Sequence, residues 1–229
     1  MAINIQTLRT RSLTAVVFVV VMLAGLFING WTFIALFSTI MFGCLYELSK
    51  IVKKIDSKKY FLFIPLALFY IIMPIMMMID LGINGSNNAA EKNTYSPLFP
   101  CAIIFSIWIN DTMAYIVGSF IGKTPLSKIS PKKTWEGTIG GALLCIIVIS
   151  LLGYFIPDAK SIAVKHWVII AAICAIFGTL GDLLESKLKR LANIKDSGSF
   201  MPGHGGFLDR FDSLLIATPF VWAYIKLFL

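Results

Sequence analysis

Charge is scarce in this chain. Only 14% of its 229 residues are Asp, Glu, Lys or Arg, whereas 58% are hydrophobic. Soluble domains carry about a quarter charged residues, so the composition excludes an ordinary soluble domain and indicates a membrane protein. Cysteine is sparse as well. Cys44, Cys101, Cys145 and Cys174 all fall in apolar runs, and no two form a Cys-x-x-Cys pair, so they read as small buried apolar side chains. No internal repeat and no nucleic-acid-binding module is present. Gly122-Lys123-Thr124 has the ending of a phosphate-binding P-loop, but Val117 stands where the loop needs its first glycine, and no parallel-sheet pattern precedes it. Acids are fewer than bases, 12 against 20, which gives a net charge of +8. Such an excess fits cytoplasmic loops of a membrane protein, polyanionic ligands, or both.

The apolar runs give seven candidate spans, at 13–28, 31–48, 61–81, 98–122, 137–157, 166–184 and 207–229. The fold class expected is all-α, a polytopic transmembrane helical bundle forming one domain over residues 1–229. The first run follows Arg9 and Arg11 like a signal peptide, yet no convincing cleavage site follows, so it reads as an uncleaved span. A single helix over 13–48 would be about 54 Å long against a hydrocarbon core of about 30 Å, so the chain must turn at Asn29-Gly30. Glu47, at the end of the second run, reads as a snorkelling interfacial acid. Pro65 and Pro74 should kink the third. Gly118 and Gly122, and again Gly137 and Gly141, have the spacing that lets helices pack closely.

Basic residues fix an orientation. With the N-terminus cytoplasmic, fifteen bases fall on the inner side, including five lysines at 50–59 and Lys123, Lys128, Lys132 and Lys133. Lys92, Lys160 and Lys165 fall on the outer side. This places the loops at 123–136 and 185–206 on one side of the membrane.

The chemistry concentrates in residues 181–213, where five acids (Asp182, Glu185, Asp196, Asp209, Asp212) alternate with five bases between apolar runs. Asp182 and Glu185, and again Asp209 and Asp212, are spaced to share a helix face. Their hard oxygens suit Mg²⁺. Between them Pro202-Gly203-His204-Gly205-Gly206 is too glycine-rich for a helix, and its backbone can approach a ligand and present N–H groups to an anion. Acids for a metal, bases for phosphate and a glycine turn together suggest metal-assisted phosphoryl or nucleotidyl transfer. Two further blocks join them. Asn110-Asp111-Thr112 puts an acid in mid-span, where acids are costly and usually functional; the alternative is an acid satisfied by Tyr115 one turn on. Ser130-Pro131-Lys132-Lys133-Thr134-Trp135-Glu136-Gly137 offers lysines and hydroxyls to phosphate, or is simply a positive cytoplasmic loop.

Ser186-Lys187-Leu188-Lys189-Arg190, Lys195-Asp196, Pro202 to Gly206 and Asp209-Arg210-Phe211-Asp212, with the two blocks above, resemble the signature of the phosphatidate cytidylyltransferases, or CDP-diacylglycerol synthases. Members of that family are usually longer, and this chain is shortened between residues 61 and 100. The resemblance implies that CTP and phosphatidate give CDP-diacylglycerol and pyrophosphate at a bacterial inner membrane, with the site facing the cytoplasm. On that basis Asp111, Asp182, Asp209 and Arg210 are the expected catalytic residues, and Mg²⁺ is expected on Asp182, Asp209 and Asp212. Substrate phosphates are expected on Ser130, Lys132, Lys133, Thr134, Lys189, Arg190, His204, Gly205 and Gly206. The implied partners are CTP, phosphatidate and membrane lipid, with a homodimer as a further expectation and nucleic acid excluded. Rival readings are a CTP-dependent lipid kinase, a cytidylyltransferase for another lipid phosphate, and an ion-coupled transporter. A transporter leaves the lysine octapeptide and glycine turn unexplained.

Overall fold

The computed structural model of the protein describes residues 5–85, 95–201 and 205–229, with side chains from residue 12 onward except at 57, 59 and 62. Seven long helices run through these residues: α1 (Ile5–Phe27), α2 (Gly30–Ile55), α3 (Phe63–Asn84), α4 (Leu98–Ile121), α5 (Trp135–Phe155), α6 (Val164–Leu191) and α7 (Leu208–Phe228). The β features among the described residues are two isolated bridges, Pro125 with Thr134 and Met201 with Gly205. The all-α expectation therefore holds. Helices α2 to α7 are each long and apolar enough to cross a membrane, and α1 adds a shorter apolar stretch, Ser12–Phe27. Large apolar side chains point outward, Trp31 at 81% and Phe120 at 84% exposed, as a surface solvated by lipid requires.

Local chemistry sets several boundaries. The turn expected at Asn29-Gly30 is there. Asn29 Oδ1 accepts from the Thr32 amide at 2.9 Å and Thr32 Oγ1 accepts from the Asn29 amide at 3.2 Å, a reciprocal cap that starts α2. In α3, residues 67–72 form a π-helical turn, and the Met73 amide reaches back to the Leu68 carbonyl. This wider turn directly precedes Pro74, which cannot donate a hydrogen bond of its own.

Two span ends differ from the sequence expectation. Helix α2 does not stop near Glu47 but continues to Ile55, because Leu48, Ile51 and Val52 extend its buried face. Glu47 is consequently a buried residue, 4% exposed, and not an interfacial one. Helix α6 runs past Asp182 to Leu191 and ends in a left-handed cap at Asn193 (φ 53°), where the Asn193 amide donates to the Arg190 carbonyl and the Ile194 amide to the Lys189 carbonyl. Its 28 residues span about 42 Å, longer than the hydrocarbon core, so one end projects beyond it.

Glycines bring the helices that carry chemistry into contact. A Cβ on Gly141 would fall 2.7 Å from the Ala114 backbone nitrogen, and one on Gly137 would fall 2.9 Å from Gly118 Cα, so α4 and α5 meet backbone to backbone. A Cβ on Gly181 would fall 2.5 Å from the Asp212 carbonyl oxygen, and Gly178 faces Ser213. That second contact sets Asp182 of α6 beside Asp212 of α7.

The α4–α5 contact can be tested directly. Gly141→Val is expected to destabilise the protein by about 1–3 kcal/mol, the usual cost of overpacking. The check is the thermal unfolding midpoint in detergent, with Ile147→Val on the 54% exposed face as the reference. Equal midpoints for the two variants would show that the contact is looser than the backbone geometry requires.

Candidate active site

The loop between α4 and α5 is folded by its own hydrogen bonds. The Leu126 amide donates to the Lys133 carbonyl at 2.7 Å, the Trp135 amide to the Thr124 carbonyl at 2.9 Å, and the Lys133 amide to the Ser130 carbonyl at 3.1 Å. Thr134 then caps α5 by accepting from the Gly137 amide at 3.1 Å. Glu136 in the first turn accepts from the Lys123 and Thr124 amides, both at 3.2 Å. The octapeptide is thus a self-supported turn, with Thr134 and Ser130 engaged in building it. Its product is the placement of Lys133, whose Nζ meets Asp182 Oδ2 at 2.6 Å. Lys132 next to it is exposed.

Around Asp182 three helices contribute acids. Asp111 from α4, Asp182 from α6 and Asp212 from α7 lie close enough to act on one another electrostatically, and Lys133 acts on both Asp111 and Asp212. Arg210 acts on Asp111. Asp212 is 6% exposed. Asp111 retains accessible surface. Beside it Asn110 is 3% exposed and its Oδ1 has no hydrogen-bond partner. Three carboxylates against two cations leave the group one positive charge short of balance. Like charges held together in a low dielectric call for a further cation. Their hard oxygens fit Mg²⁺ by chemistry, although among the described residues no three Asp, Glu, His or Cys groups already stand at ligand spacing.

Deeper in, a second set of charges is paired. Lys189 Nζ meets Glu185 Oε2 at 2.5 Å and Asp209 Oδ1 at 2.6 Å, and Glu185 is 1% exposed. The other oxygen of Asp209 accepts from the Ser197 amide at 2.8 Å, the Gly206 amide at 2.8 Å and lies 3.0 Å from Ser197 Oγ. Glu47 of α2 completes the set. Its Oε1 accepts from the Phe207 amide at 2.9 Å, and its Oε2 accepts from the Leu208 amide at 2.9 Å and from Ser197 Oγ at 2.6 Å. These amides are the unpaired donors at the N-terminus of α7, where negative charge is favoured.

The assignment of the glycine turn therefore changes. Gly205 (φ +86°) and Gly206 do bring backbone against anions, but the anions are the chain's own. A Cβ on Gly205 would collide with Asp209 Oδ2, and one on Gly206 or Gly198 would collide with the Glu47 carboxylate. Where a metal shared with Asp182 was expected, Asp209 meets Lys189 and two backbone amides of the 197–206 loop. Lys189 is correspondingly committed to carboxylates and not free for phosphate. Arg190 is exposed and donates to the Ile194 carbonyl at 3.2 Å. Pro202, Gly203 and His204 lie outside the described residues. Sequence reasoning missed Glu47 and Ser197. An acid within a long apolar run was the available signal for Glu47; nothing in Asp196-Ser197-Gly198 marks the serine.

Two cavities lie away from these charges. One of about 670 Å³, lined by residues such as Tyr95, Phe99, Gly153 and Trp167, sits where α4 begins and α5 ends, at the opposite end of the bundle from the loops just described. The other, about 520 Å³, is an apolar groove among Phe69, Tyr70, Leu184, Leu188 and Ile216. Asp158 is the one charged residue lining the first, and none lines the second.

Comparison with known proteins agrees on the region that matters. A family model described as the cytidylyltransferase family matches residues 86–228, which is 143 of the 229 positions. A phosphatidate cytidylyltransferase of Bacillus subtilis is 37% identical over 167 residues, covering 72% of this chain and 58% of the relative. One of Staphylococcus saprophyticus is 47% identical over 114 residues, 49% of this chain and 43% of the relative. The chloroplastic phosphatidate cytidylyltransferase 4 of Arabidopsis thaliana is 44% identical over 117 residues, 51% of this chain and 29% of the relative. The chain thus spans about half the length, or less, of the curated relatives it matches.

The buried ion pairs have a measurable consequence. Lys189→Met removes the one cation that Glu185 and Asp209 share, and breaking a buried pair from one side costs about 3–5 kcal/mol. The expected result is a large drop in the thermal midpoint in detergent. Lys187→Met, at an exposed position two residues earlier, should change it little. A Lys189 variant as stable as the parent would mean that both carboxylates find other partners.

Proposed function

The chain belongs to the cytidylyltransferase family, and on that premise we propose that it transfers the cytidylyl group of CTP to the phosphate of phosphatidate. The products are CDP-diacylglycerol and pyrophosphate. The observation that carries the reading is the mixed cluster of Asp111, Asp182 and Asp212 with Lys133 and Arg210, gathered at one end of an apolar bundle. A soluble nucleotide and a lipid head group can meet only where such a polar opening adjoins lipid. The fifteen-to-three distribution of bases supports a cytoplasmic-facing site at a bacterial inner membrane, where CTP is available.

In this reading a phosphate oxygen of phosphatidate attacks the α-phosphorus of CTP, and the bond to the β-phosphate oxygen breaks to release pyrophosphate. The lipid phosphate arrives ionised, so no side chain need act as a base. Lys133 and Lys132 hold nucleotide phosphates, and Arg210 holds the lipid phosphate or the leaving group. The Lys133–Asp182 pair suits exchange. Its side chains are 32% and 28% exposed, and half-exposed pairs contribute about 0–1 kcal/mol, so phosphate can take Lys133 at small cost. Asp182 and Asp212, with Asp111 beside them, are the residues that would hold Mg²⁺, whose charge when bound would neutralise the oxygens of the transferring phosphoryl group. Asp209 could join them only by releasing Lys189 or its loop donors.

The test is the purified protein in phosphatidate vesicles with radiolabelled CTP. Label should enter lipid with one pyrophosphate released per turnover, and a chelator should abolish the reaction until Mg²⁺ is restored. Asp182→Asn should lower kcat by at least about 10²-fold, the scale of losing one electrostatic contact to the transition state. Lys132→Ala should raise the KM for CTP. Release of CDP without pyrophosphate would identify a lipid kinase, and ion flux without label in lipid would identify a transporter.

A further inference from the structure

We propose that Glu47 is a positioning residue for this reaction: from α2, it fixes the start of α7 and thereby the aim of Arg210 and Asp212. The proposal rests on the reading of the Asp111–Asp182–Asp212 cluster given above. Glu47 lies outside residues 86–228, the part that the family model matches, so the family core is held in working shape by a helix that precedes it.

The geometry is specific to a carboxylate. Glu47 is 4% exposed and both its oxygens accept hydrogen bonds, Oε1 from the Phe207 amide and Oε2 from the Leu208 amide and Ser197 Oγ. All three donors belong to the segment that leads into α7. Ser197 has a single hydroxyl proton, and its shorter contact, 2.6 Å to Glu47 against 3.0 Å to Asp209, assigns that proton to Glu47. The Asp209 amide in turn donates to Ser197 Oγ at 3.3 Å. Glu47 thus reaches Asp209 through one hydroxyl, and Arg210 and Asp212 follow within one helical turn. Space is closed around it. A Cβ on Gly198 or Gly206 would strike the Glu47 carboxylate, and a Cβ on Gly43, one turn earlier in α2, would strike the Phe207 ring. The 197–208 segment therefore has one seat on α2.

A carboxamide cannot replace this group. Glu47→Gln keeps the size but turns one acceptor into an NH₂ donor, which must then face either the Phe207 amide or the Leu208 amide and Ser197 hydroxyl. It also removes a negative charge from the positive end of α7. The helix remains, but its first turn loses its seat.

The experiment compares wild type, Glu47→Gln and the milder Ser197→Ala, all as full chains in phosphatidate vesicles with CTP and Mg²⁺. Hydrogen exchange followed by mass spectrometry reads the position of the segment without reference to activity. In Glu47→Gln, amide exchange in peptides covering 197–213 should rise at least about tenfold while peptides from α4 and α5 stay as in wild type, the signature of local opening. In the same protein kcat should fall by about 10- to 100-fold, the scale of a small misplacement of catalytic groups, with KM for CTP within about twofold. Ser197→Ala should shift both readouts in the same direction by less. Unchanged exchange in Glu47→Gln would overturn the proposal. So would raised exchange with unchanged kcat, and so would loosening spread evenly over all helices in both variants. Should wild type lack transfer activity, the functional reading fails by itself, while the exchange result still decides whether Glu47 seats the segment.

Discussion

A carboxylate taken out of water must be met by donors or by a cation, and Asp209 is met by both. Lys189 takes one oxygen, and the 197–206 loop gives two amides and a hydroxyl contact to the other. Removing either side leaves a buried charge, and that cost is several times the contribution of an exposed pair. The rest of the polar end is arranged around this requirement. The loop must return over Asp209, so it must be short of side chains, and Gly205 and Gly206 are where the backbone passes against a carboxylate. Lys189 must be buried, so α6 must extend beyond Asp182 by the turns that carry Glu185 and Lys189.

The charged groups consequently fall into two tiers. Glu47, Ser197 and Asp209 are shielded and hold backbone, and buried Glu185 pairs with Lys189, which also takes Asp209. Asp111, Lys132, Lys133, Asp182 and Arg210 retain exposure. The ion pair among them, Lys133 with Asp182, is of the weak, exchangeable kind. Asp212 stands between the tiers, buried yet coupled to the open acids. A site that must bind an anionic nucleotide and an anionic lipid needs cations that can change partners. Rigid support and loose function are thus assigned to different side chains, and α6 and α7 contribute to both.

What the sequence could reveal follows the same division. Features fixed by neighbours along the chain were legible, among them the Asn29 turn, the count of apolar runs, and the close-packing glycines at 118, 137 and 141. The motif residues were legible as a set, because acids and bases in an apolar chain are conspicuous. Their partners were not. Nothing in the spacing says that Lys133 will meet Asp182 across 49 positions, or that Lys189 will serve Asp209 and not a phosphate. Glu47 misled for a physical reason: an acid near the end of an apolar run looks interfacial until one knows that the helix continues two turns beyond it. Glycine misled in a similar way, since a backbone approached closely by an anion has the same sequence whether the anion is a ligand or Glu47.

Five bases lie in the signature segment. Lys189 is spent on Glu185 and Asp209, Arg190 donates to the Ile194 carbonyl, Lys187 and Lys195 are exposed, and Arg210 acts on the acidic cluster. That cluster also draws Lys133 from the α4–α5 loop. That makes the distance between the α4–α5 loop and the signature segment, 56 residues apart in the chain at Lys133 and Lys189, a quantity the fold has to fix. Two backbone contacts fix it, Gly137 and Gly141 against α4 and Gly181 against α7, with α6 carrying Asp182 between them. Close helix packing in a membrane is usually credited with stability. Here it also sets where cations from separate loops converge, so a methyl group added at Gly181, which touches no phosphate, would move Asp182 away from Asp212 and the cluster would lose its shape.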